Sequence, residues 1–501
     1  MTSPSLELLR EPLAVFFEVT QWPVLAYFVL LNTSYLVLVA LAAVSLTQHL
    51  RRDPFAGYDE TCASPLTPAV SVLVPAHDEE AGIVTAVDAM LGLRYPVHEV
   101  VVVDDGSRDA TFARLEEAHD LVEVPRVVPQ DLPTRGRVLS VHVPRDGRTP
   151  LVVVRTENSG RSDALNVGVN VARHGIVCFV DADSILDPDA LLTVTKPFAD
   201  DPERVVASGG VVRAVNGCRV VAGRVVETRM PRGWLARIQV VEYLRAFMLG
   251  RAGWSRAGAL ALISGAFGVY RRDVVVAVGG LDPDCIGEDF ELCVKVHRAM
   301  RDAGRDYRVV QVAEPVSWTE VPSTRAVLAS QRRRWHRGLW EVLHRHRDML
   351  GNPRYGRVGL VALPYYVLFE LVAPLLELVG VLVVPLGLAL GLVDGGEALR
   401  FLLIAYGYAL FVSVAALAVE EFSFHRYGRW RDLGTALVVC VLENVGYRQL
   451  TALWRVQGLW AALRRTERVW GVMTRTGFGD AAPARDLQAP TVGARHADGL
   501  P

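Results

Sequence analysis

The sequence predicts an α/β domain built on a parallel β-sheet, flanked in the chain by apolar helices that cross a membrane. Of the 501 residues, 51% are apolar, and the mean hydropathy of +0.25 is high for a soluble protein. In the central part, short apolar runs alternate with apolar residues at helical spacing, which is typical of a parallel sheet covered by helices. Longer apolar runs on both sides have the length of transmembrane helices.

The first apolar run, residues 22–47, carries no charged side chain and is long enough to cross a hydrocarbon core of roughly 30 Å. A cleaved signal peptide is the alternative. However, the segment before the run holds three glutamates against one arginine, Arg10, which is the wrong flank for a signal peptide. Arg51 and Arg52 follow the run, so the next domain should be cytoplasmic.

The central domain contains three apolar runs that predict buried strands at residues 70–74, 99–103 and 176–180. Helical patterns precede the second and third runs. Their apolar residues are Ile83, Val87, Met90 and Leu91 in the first helix, and Leu165, Val169 and Ala172 in the second. Ser162 is expected to cap the second helix. Ligands of parallel sheets bind at the carboxyl ends of strands, so the loops after the three runs should form one site.

Beyond the central domain the sequence predicts transmembrane helices at residues 358–393 and 398–420, joined by a short acidic loop outside the membrane. Residues 433–453 carry charged and amide side chains, which favours an interfacial or re-entrant helix on the cytoplasmic side. The tail should be basic at first and then disordered. The predicted domain boundaries are 1–52, 53–350, 351–453 and 454–501.

Charge and cysteine content exclude several classes of protein. The formal net charge is −2, so no strongly basic surface indicates a nucleic-acid partner. The six cysteines are scattered, with neither a CxxC pair nor the close spacings of a disulfide framework. This distribution favours a reducing compartment and argues against structural zinc. Nothing in the composition indicates an oligomeric state.

Acidic side chains are concentrated in the three loops that should form the site. The loops read PAHDEE at residues 75–80, DDGS at 104–107 and DADS at 181–184. Carboxylates gathered in one place repel one another unless a cation or a donor-rich ligand compensates their charge. Mg²⁺ commonly bridges one or two carboxylates to the phosphates of a substrate, so the pattern predicts a metal-bound nucleotide diphosphate.

An Asp-x-Asp sequence alone is weak evidence, because it occurs three times in this chain. Position separates the three occurrences. The one at 181–183 ends a buried strand, whereas Asp187 before Pro188 is expected to cap a helix and residues 282–284 to form a turn. Residues 105–106 also allow a hairpin turn, unless the residues after them are helical.

Four motifs occur in order along the chain: DDGS at 104–107, DAD at 181–183, GED at 287–289 and QRRRW at 331–335. In this order they resemble the membrane-bound family 2 glycosyltransferases, which include cellulose, hyaluronan and chitooligosaccharide synthases. The resemblance covers about residues 68–338. It implies a GT-A fold, the Rossmann-like α/β architecture of nucleotide-diphospho-sugar transferases, in a cytoplasmic domain beside transmembrane helices.

The resemblance implies roles for residues on the donor side. The expected donor-binding residues are Pro75, Glu79, Asp105, Arg161, Asp181, Asp183, Gln331 and Arg334. Asp181 and Asp183 would hold the diphosphate together with Mg²⁺ or Mn²⁺, which acts as a Lewis acid on the leaving group. Arg334 suits a diphosphate because its planar fork binds two oxygens. The alternative for the arginines is a basic helix beside anionic lipid.

On the acceptor side, the resemblance implies that Asp289 is the general base. It would remove the proton of an acceptor hydroxyl as that hydroxyl attacks the anomeric carbon, in a single displacement that inverts the configuration. The alternative for this position is an ordinary helix start, where acids are favoured, and both interpretations are compatible. The expected acceptor-binding residues are Glu288, Trp335, Gly265 and Phe267. A Gly-rich turn before a strand equally explains residues 264–268.

One position departs from the family pattern. Relatives often have lysine before the Ser-x-Ala-Leu-Asn stretch, whereas this chain has Arg161 before residues 162–166. The positive charge is retained, so binding of the nucleotide-sugar should survive while its phosphate contacts change.

Two glutamates lie inside the predicted span 358–393. Glu370 and Glu377 share one helical face, where ionisable groups are unfavourable unless they face protein or water. One interpretation is packing against the interfacial helix, with Arg448 as the partner. The other is a part in translocation or in binding a lipid acceptor.

The sequence therefore predicts a multi-pass protein of the bacterial inner (plasma) membrane that transfers a sugar, expected from a UDP-sugar, to a growing saccharide. Its partners would be the nucleotide-sugar donor, a saccharide or lipid-linked acceptor and the lipid bilayer, with no nucleic acid. Two alternatives stay open. One is transfer of a single sugar to a polyprenyl phosphate or glycerolipid. The other is a non-catalytic transporter or scaffold with a degenerate nucleotide-binding domain.

Overall fold

A ten-stranded mixed β-sheet forms the centre of the computed structural model, which describes residues 10–50, 64, 67–424 and 430–464. A separate pair of short strands forms a second sheet. The strands are β1 (Val70–Ala76), β2 (His98–Asp105), β3 (Leu121–Glu123), β4 (Val138–Pro144), β5 (Leu151–Thr156), β6 (Ile176–Val180), β7 (Ile185–Leu186), β8 (Val205–Ala214), β9 (Arg219–Val221), β10 (Arg224–Glu227), β11 (Phe267–Arg271) and β12 (Arg308–Thr319).

Helices connect these strands and continue after the last of them. They are α1 (Arg10–Leu50), α2 (Ile83–Leu91), α3 (Thr111–His119), α4 (Arg161–Val171), α5 (Ala190–Asp200), α6 (Trp234–Leu244), α7 (Ala252–Arg256), α8 (Arg272–Ala277), α9 (Glu288–Asp302), α10 (Arg325–Arg345), α11 (Leu363–Tyr365), α12 (Ala373–Ala389), α13 (Gly395–Leu402), α14 (Tyr408–Phe424), α15 (Trp430–Leu442) and α16 (Arg448–Leu463). Wider π-type segments adjoin several of them, at Arg245–Arg251, Val358–Ala362, Tyr366–Leu371, Leu403–Gly407 and Glu443–Tyr447.

The centre of the sheet is parallel, as the sequence predicts. Its strand order is β3-β4-β5-β2-β1-β6-β11-β8-β12-β7, and β1 pairs in parallel with both β2 and β6. These strands are nearly continuous apolar runs because both of their faces are buried. β11 pairs antiparallel with β6, so the sheet as a whole is mixed. The carboxyl ends of β1, β2 and β6 therefore lie side by side.

Two predicted helix starts are wrong. The N-cap of α4 is Gly160, with a φ of 93°, and Ser162 lies buried in the first turn. The Gly160 N–H donates to a carboxylate oxygen of Asp105, so a residue outside the helix fixes its start. The N-cap of α5 is Asp189 rather than Asp187. The Asp187 carboxylate accepts the Asp189 N–H at 3.2 Å and holds a turn before the helix.

Two other local predictions are decided by hydrogen bonding. The hairpin alternative at residues 105–106 is wrong, because β2 pairs in parallel on both sides and α3 follows it. The turn at residues 282–284 is confirmed, since the Asp284 N–H donates to Asp282 Oδ1 at 2.7 Å. Only the Asp-x-Asp at 181–183 therefore lies at the carboxyl edge of the parallel strands.

Two helices in the described part of the chain are long and apolar enough to cross a membrane, Ala14–Ser45 and Val358–Ala389. The protein buries only 28% and 17% of the most apolar stretch of these two helices. α1 begins at Arg10, earlier than the predicted start near residue 22, and includes Pro23. The predicted span 398–420 is helical in α13 and α14 but is not one of these two.

The predicted interfacial helix 433–453 consists of two helices. Between α15 and α16, Val445 and Gly446 leave helical geometry, and Gly446 has a φ of 85° that glycine adopts without strain. α16 continues to Leu463, so the first part of the predicted tail is helical, and residues 465–501 lie outside the described residues.

The glutamates of the apolar helix Val358–Ala389 pair with arginines of α16. Arg448 Nε donates to Glu377 Oε1 at 2.9 Å, as the sequence predicts, and Arg455 Nη2 lies 3.0 Å from Glu370 Oε2. Removing one partner would leave the other charge uncompensated in an apolar region. The packing interpretation of these glutamates is thus confirmed.

His297 of α9 gives the stability of the domain a dependence on pH. Burial lowers the pKa of His297 to about 4, the Leu260 carbonyl opposes this shift, and Arg301 adds to it. In an unfolded chain the same group takes up a proton near pH 6.5. The stability that neutral His297 contributes is therefore complete above about pH 6.5 and is lost as the pH falls toward 4.

We expect the melting temperature of the protein in detergent to fall between these two pH values, and to fall less in a His297→Gln variant. Intrinsic fluorescence measured during heating at a series of pH values tests this expectation. An equal fall in both proteins would show that His297 is not a source of the dependence.

Candidate active site

The loops after β1 and β2 bind one another. The Asp78 N–H donates to Ser107 Oγ at 3.1 Å, and the Arg108 N–H donates to Asp78 Oδ1 at 2.7 Å. A ring nitrogen of His77 lies 2.8 Å from the carbonyl oxygen of Asp105. The predicted convergence of these two acidic loops is confirmed.

Pro75 and Glu79, two of the predicted donor residues, lie at this edge of the sheet. Pro75 is the penultimate residue of β1, and both residues are half-buried. The Glu79 N–H donates to Thr111 Oγ1 at 2.8 Å, which ties the loop to the start of α3.

Asp105, another of the predicted donor-binding residues, ends β2 and is buried. Its carboxylate oxygens accept the N–H groups of Ser159 and Gly160 at 2.8 and 2.9 Å. Burial raises the pKa of Asp105, and these hydrogen bonds oppose the shift. Asp105 therefore fixes the loop that begins α4.

Arg161, the first residue of α4, joins parts of the site that come from different elements. Its Nε and Nη2 donate to Asp181 Oδ1 at 2.9 and 2.7 Å, and its Nη1 donates to Glu288 Oε1 at 2.7 Å. Nη2 also donates to the carbonyl oxygen of Gly265 at 2.7 Å. Burial disfavours the charged guanidinium, but Asp181 and Glu288 outweigh burial and raise the pKa of Arg161.

Buried carboxylates around Arg161 raise one another's pKa. Burial, with Asp181 adjacent, raises the pKa of Asp183 to about 7. Burial raises the pKa of Glu288 to about 7 as well; Arg161 opposes this shift and Asp289 adds to it. The acids therefore repel one another, and a bound cation would relieve that repulsion.

The donor set fits the divalent cation that the sequence predicts. Asp181 and Asp183 offer carboxylate oxygens, which Mg²⁺ and Mn²⁺ prefer. Among the described residues, no group of three or more His, Cys, Asp or Glu side chains could hold a metal ion by itself. A cation held by two carboxylates would complete its shell with phosphate oxygens and water, as Mg²⁺ does at nucleotide sites.

Asp289 lies in the first turn of α9, whose N-cap is Gly287. Its Oδ2 accepts the Gly265 N–H at 2.9 Å and its Oδ1 accepts the Phe290 N–H at 2.8 Å. The predicted helix start is confirmed. Backbone groups on both sides hold the carboxylate beside the Arg161 cluster.

The expected acceptor contact of the Phe267 side chain is wrong. Phe267 begins β11 opposite Val180 and is 0% exposed, because its ring packs in the core against the backbone of Gly210. Gly265, two residues earlier, does reach the site through its N–H and carbonyl groups.

The QRRRW residues lie on α10 with different exposures. Gln331 is buried, and its Oε1 has no hydrogen-bond partner within the described ranges. Burial lowers the pKa of Arg334, whereas the nearby Glu288 opposes the shift, which places this guanidinium close to the acids. Trp335 is 45% exposed, with the Arg332 guanidinium 4.7 Å from its ring centre.

Two glycines bring α10 against the start of α9. A Cβ atom at Gly338 would lie 2.8 Å from the backbone nitrogen of Gly287 and 2.9 Å from its Cα. A side chain cannot rotate away from such a backbone contact, so the helices would have to separate.

We therefore expect Gly338→Ala to displace the first turn of α9 and with it Asp289, lowering the rate of sugar transfer by roughly 10-fold to 100-fold. Initial rates of product formation measure the effect. Gly175→Ala is the matched control, because a Cβ atom there meets nothing within 4 Å. A Gly338→Ala rate equal to that of the control would contradict the prediction.

Two charged residues near the site, Arg251 and Glu320, were not among the residues that the sequence predicted. Burial lowers the pKa of Arg251, and Asp289 is among the groups that oppose the shift. Glu320 follows β12, whose antiparallel pairing with β7 leads it toward Asp183, and it adds to the raised pKa of Asp183. Glu320 could have been found from the sequence, because it is an acid directly after an apolar strand. Arg251 lies inside a helix, and no sequence pattern marks it as a site residue.

The site lies within two regions that match family models. Residues 71–136 match the model described as glycosyl transferase family 2, and residues 143–338 match glycosyltransferase like family 2. The chain is 27% identical over 310 residues to poly-beta-1,6-N-acetyl-D-glucosamine synthase of Staphylococcus aureus (strain COL), covering 61% of this chain and 62% of that protein. The Staphylococcus epidermidis protein of the same name is 26% identical over 307 residues, which are 61% of each chain. The match thus spans less than two thirds of the length of these relatives.

Among solved structures, a mannosyltransferase from Pyrobaculum calidifontis in complex with GDP-mannose and Mn²⁺ superimposes with a TM-score of 0.50. It is 19% identical and covers 89% of this chain and all of its own, a likeness that shows the fold alone. The expected GT-A α/β fold is therefore confirmed, and the two apolar helices are consistent with membrane segments.

Proposed function

We propose, from the family 2 glycosyltransferase domain that this chain contains, that it transfers a sugar from a nucleotide-diphospho-sugar to a growing saccharide at a membrane. One observation carries the proposal. Arg161 joins Asp181 of the DAD motif to Gly265, which in turn binds Asp289, so acids suited to a metal diphosphate lie beside a carboxylate suited to act as a base.

On the donor side, Pro75, Glu79 and Asp105 would bind the nucleoside, because they lie at the ends of β1 and β2 or in the loop after β1, at the edge where the acidic loops meet. Asp105 would contribute to nucleoside binding by holding the loop of Ser159 and Gly160 before α4. Gln331 and Arg334 would approach the diphosphate from α10. The buried Gln331 Oε1, which has no partner in the described ranges, supports a ligand contact there.

Asp181 and Asp183 would hold a Mg²⁺ or Mn²⁺ ion, which when bound neutralises charge that develops on the leaving diphosphate. Arg161 and Arg334 add positive charge beside the proposed diphosphate site. Arg161 donates hydrogen bonds to Asp181, and Arg334 lies near Glu288 and Asp181. A planar guanidinium can bind two phosphate oxygens at once. These residues therefore stabilise the leaving group and orient it.

Asp289 would act as the general base. Its carboxylate takes the proton of the acceptor hydroxyl while the hydroxyl oxygen bonds to the anomeric carbon and the bond from that carbon to the diphosphate breaks. Because attack and departure occur on opposite faces in one step, the anomeric configuration inverts. The two backbone N–H groups on Asp289 keep the carboxylate in place for this transfer.

The acceptor would enter between Gly265 and α10. Trp335 is exposed and offers the aromatic face that sugars stack on. Glu288, adjacent to the base, is held by Arg161 and shapes the same wall.

The protein would be a multi-pass protein of the bacterial inner membrane with its catalytic domain in the cytoplasm. The exposed apolar surfaces of Ala14–Ser45 and Val358–Ala389 support membrane insertion. Arg51 and Arg52 after the first span support the cytoplasmic side. A reporter fused after Gly479 should be active only in the cytoplasm, and a periplasmic signal would contradict this topology.

The experiment that tests the proposal is a donor panel. Purified protein in lipid vesicles is incubated with Mg²⁺ or Mn²⁺ and a set of UDP- and GDP-sugars. UDP-N-acetylglucosamine comes first, because the curated relatives are named as synthases of an N-acetylglucosamine polymer. Release of nucleotide with formation of an oligosaccharide series by mass supports the proposal. A single sugar on a lipid indicates the single-transfer alternative, and no turnover of any donor contradicts enzymatic function.

A further inference from the structure

Gly265 contacts a cation on one side and the proposed base on the other. Its carbonyl oxygen accepts Arg161 Nη2 at 2.7 Å, and its N–H donates to Asp289 Oδ2 at 2.9 Å. Glu288 provides a second connection, because its Oε1 binds Arg161 Nη1 at 2.7 Å and it precedes Asp289 in the first turn of α9. Arg161 is therefore connected to the base by two routes.

The same guanidinium holds the donor side of the site. Its Nε and Nη2 bind Asp181 Oδ1, and the side chains of Arg161, Asp181 and Glu288 are only 18%, 29% and 10% exposed. Hydrogen bonds between ionised groups shielded from water are strong and directional. Arg161 thus contacts both the DAD loop and the loop and helix that carry the base.

We propose that Arg161 is a positioning residue for Asp289, acting through Gly265 and Glu288, and that it couples the state of the donor site to the orientation of the base. This inference rests on the proposed function, because it needs Asp289 to be the base. It assigns Arg161 a role in the acceptor half of the reaction in addition to donor binding.

The chemistry of arginine is required for this role. Three nitrogens in one plane, Nε, Nη1 and Nη2, serve Asp181, Glu288 and Gly265 at once. An ammonium group is a compact point charge on a flexible stem and cannot keep the same three partners in fixed directions. Arg161→Lys therefore keeps the charge beside Asp181 but loosens the connection to the base.

Gly265 has a matching constraint. A Cβ atom there would lie 3.3 Å from Arg161 Nη2 and 3.4 Å from Asp289 Oδ2. Gly265→Ala retains every charged group, but its Cβ atom is close enough to the guanidinium to displace it from the Gly265 backbone by some tenths of an ångström. Because such displacements lower the rate of a positioned reaction, this variant tests the coupling without removing a ligand.

The test compares wild-type protein with Arg161→Lys and Gly265→Ala, using Arg135→Lys as the matched control because Arg135 pairs with Asp284 in an exposed turn. For each protein, UDP affinity with Mn²⁺ is measured by calorimetry, and kcat and donor KM are measured with the best donor. We expect kcat to fall about 10-fold in both site variants, while UDP affinity and donor KM stay within about threefold and the ratio of donor hydrolysis to transfer rises. The control should match the wild type.

A Gly265→Ala variant with the kcat of the wild type would overturn the inference. Equal losses of kcat and of UDP affinity in Arg161→Lys would also overturn it, because equal losses indicate that Arg161 acts in donor binding alone. If Arg161→Lys does not fold, as judged by its melting temperature, Gly265→Ala decides. Failure of the wild-type protein to transfer any sugar overturns the proposed function and the inference together, whereas an active wild type with unaffected variants overturns the inference alone.

Discussion

Replacing Asp289 by asparagine is expected to lower sugar transfer by about 10³-fold or more, while UDP affinity with Mn²⁺ stays within about threefold. Asparagine keeps the size of the side chain and an oxygen for the Gly265 N–H, but it cannot take the acceptor proton. Transfer is measured as product formation from a labelled donor, and affinity by calorimetry.

The matched control is Asp284→Asn, which removes a carboxylate from an exposed turn outside the site. It should keep the wild-type rate. Residual transfer in Asp289→Asn above roughly a hundredth of the wild-type rate would remove Asp289 from the role of base, because a general base contributes at least about 100-fold.

Asp183→Asn should weaken UDP binding in the presence of Mn²⁺ by more than about 10-fold and abolish transfer, because an amide is a poor ligand for a hard cation that also binds phosphate. Without metal, the Asp183→Asn variant should be at least as stable as the metal-free wild-type protein. Burial and the adjacent Asp181 disfavour the ionised Asp183 in the folded chain, and the substitution removes that charge.

These opposite directions separate a ligand role from a folding defect. The melting temperature is measured without metal, and UDP binding is measured with Mn²⁺ and again with EDTA. If Asp183→Asn binds UDP with Mn²⁺ as tightly as the wild type, Asp183 is not a ligand of the metal. A large fall in melting temperature without metal would assign Asp183 a structural role.

The sequence predicted the parallel centre of the fold well, because strands buried on both faces are nearly continuous apolar runs. β6 has the bounds that its apolar run predicts, at Ile176–Val180. β3, β4 and β5 were not predicted, since their shorter or alternating runs give weak signals. The start of α4 was misplaced because its N-cap is a glycine held by Asp105, a contact between residues distant in sequence.

In the site, the sequence located the acidic loops because each follows a buried strand. It did not show that Arg161 contacts Glu288, since the residues are 127 positions apart and only the fold brings them together. The same holds for Gly287 and Gly338, whose close contact has no signal beyond the presence of two glycines. Phe267 was misassigned because a motif does not reveal which side chains of a strand point into the core.

The contacts of the C-terminal helices could also be predicted from the sequence only in part. Charged residues near Arg448 predicted that this segment is not an ordinary membrane span, and Arg448 itself pairs with Glu377. The contact of α16 with α10 was not predictable, yet a Cβ atom at Gly458 would lie 2.3 Å from the Arg333 carbonyl oxygen. The helix that carries the QRRRW motif therefore packs directly on the segment paired with the apolar helix Val358–Ala389.

The most direct test of the central claim is the anomeric configuration of the product. Purified protein with Mn²⁺ and the donor selected by the panel is followed by NMR during the first turnovers, before any secondary hydrolysis. A base at Asp289 acting in a single displacement predicts that an α-linked donor gives a β-linked product. A product that retains the α configuration would contradict the account.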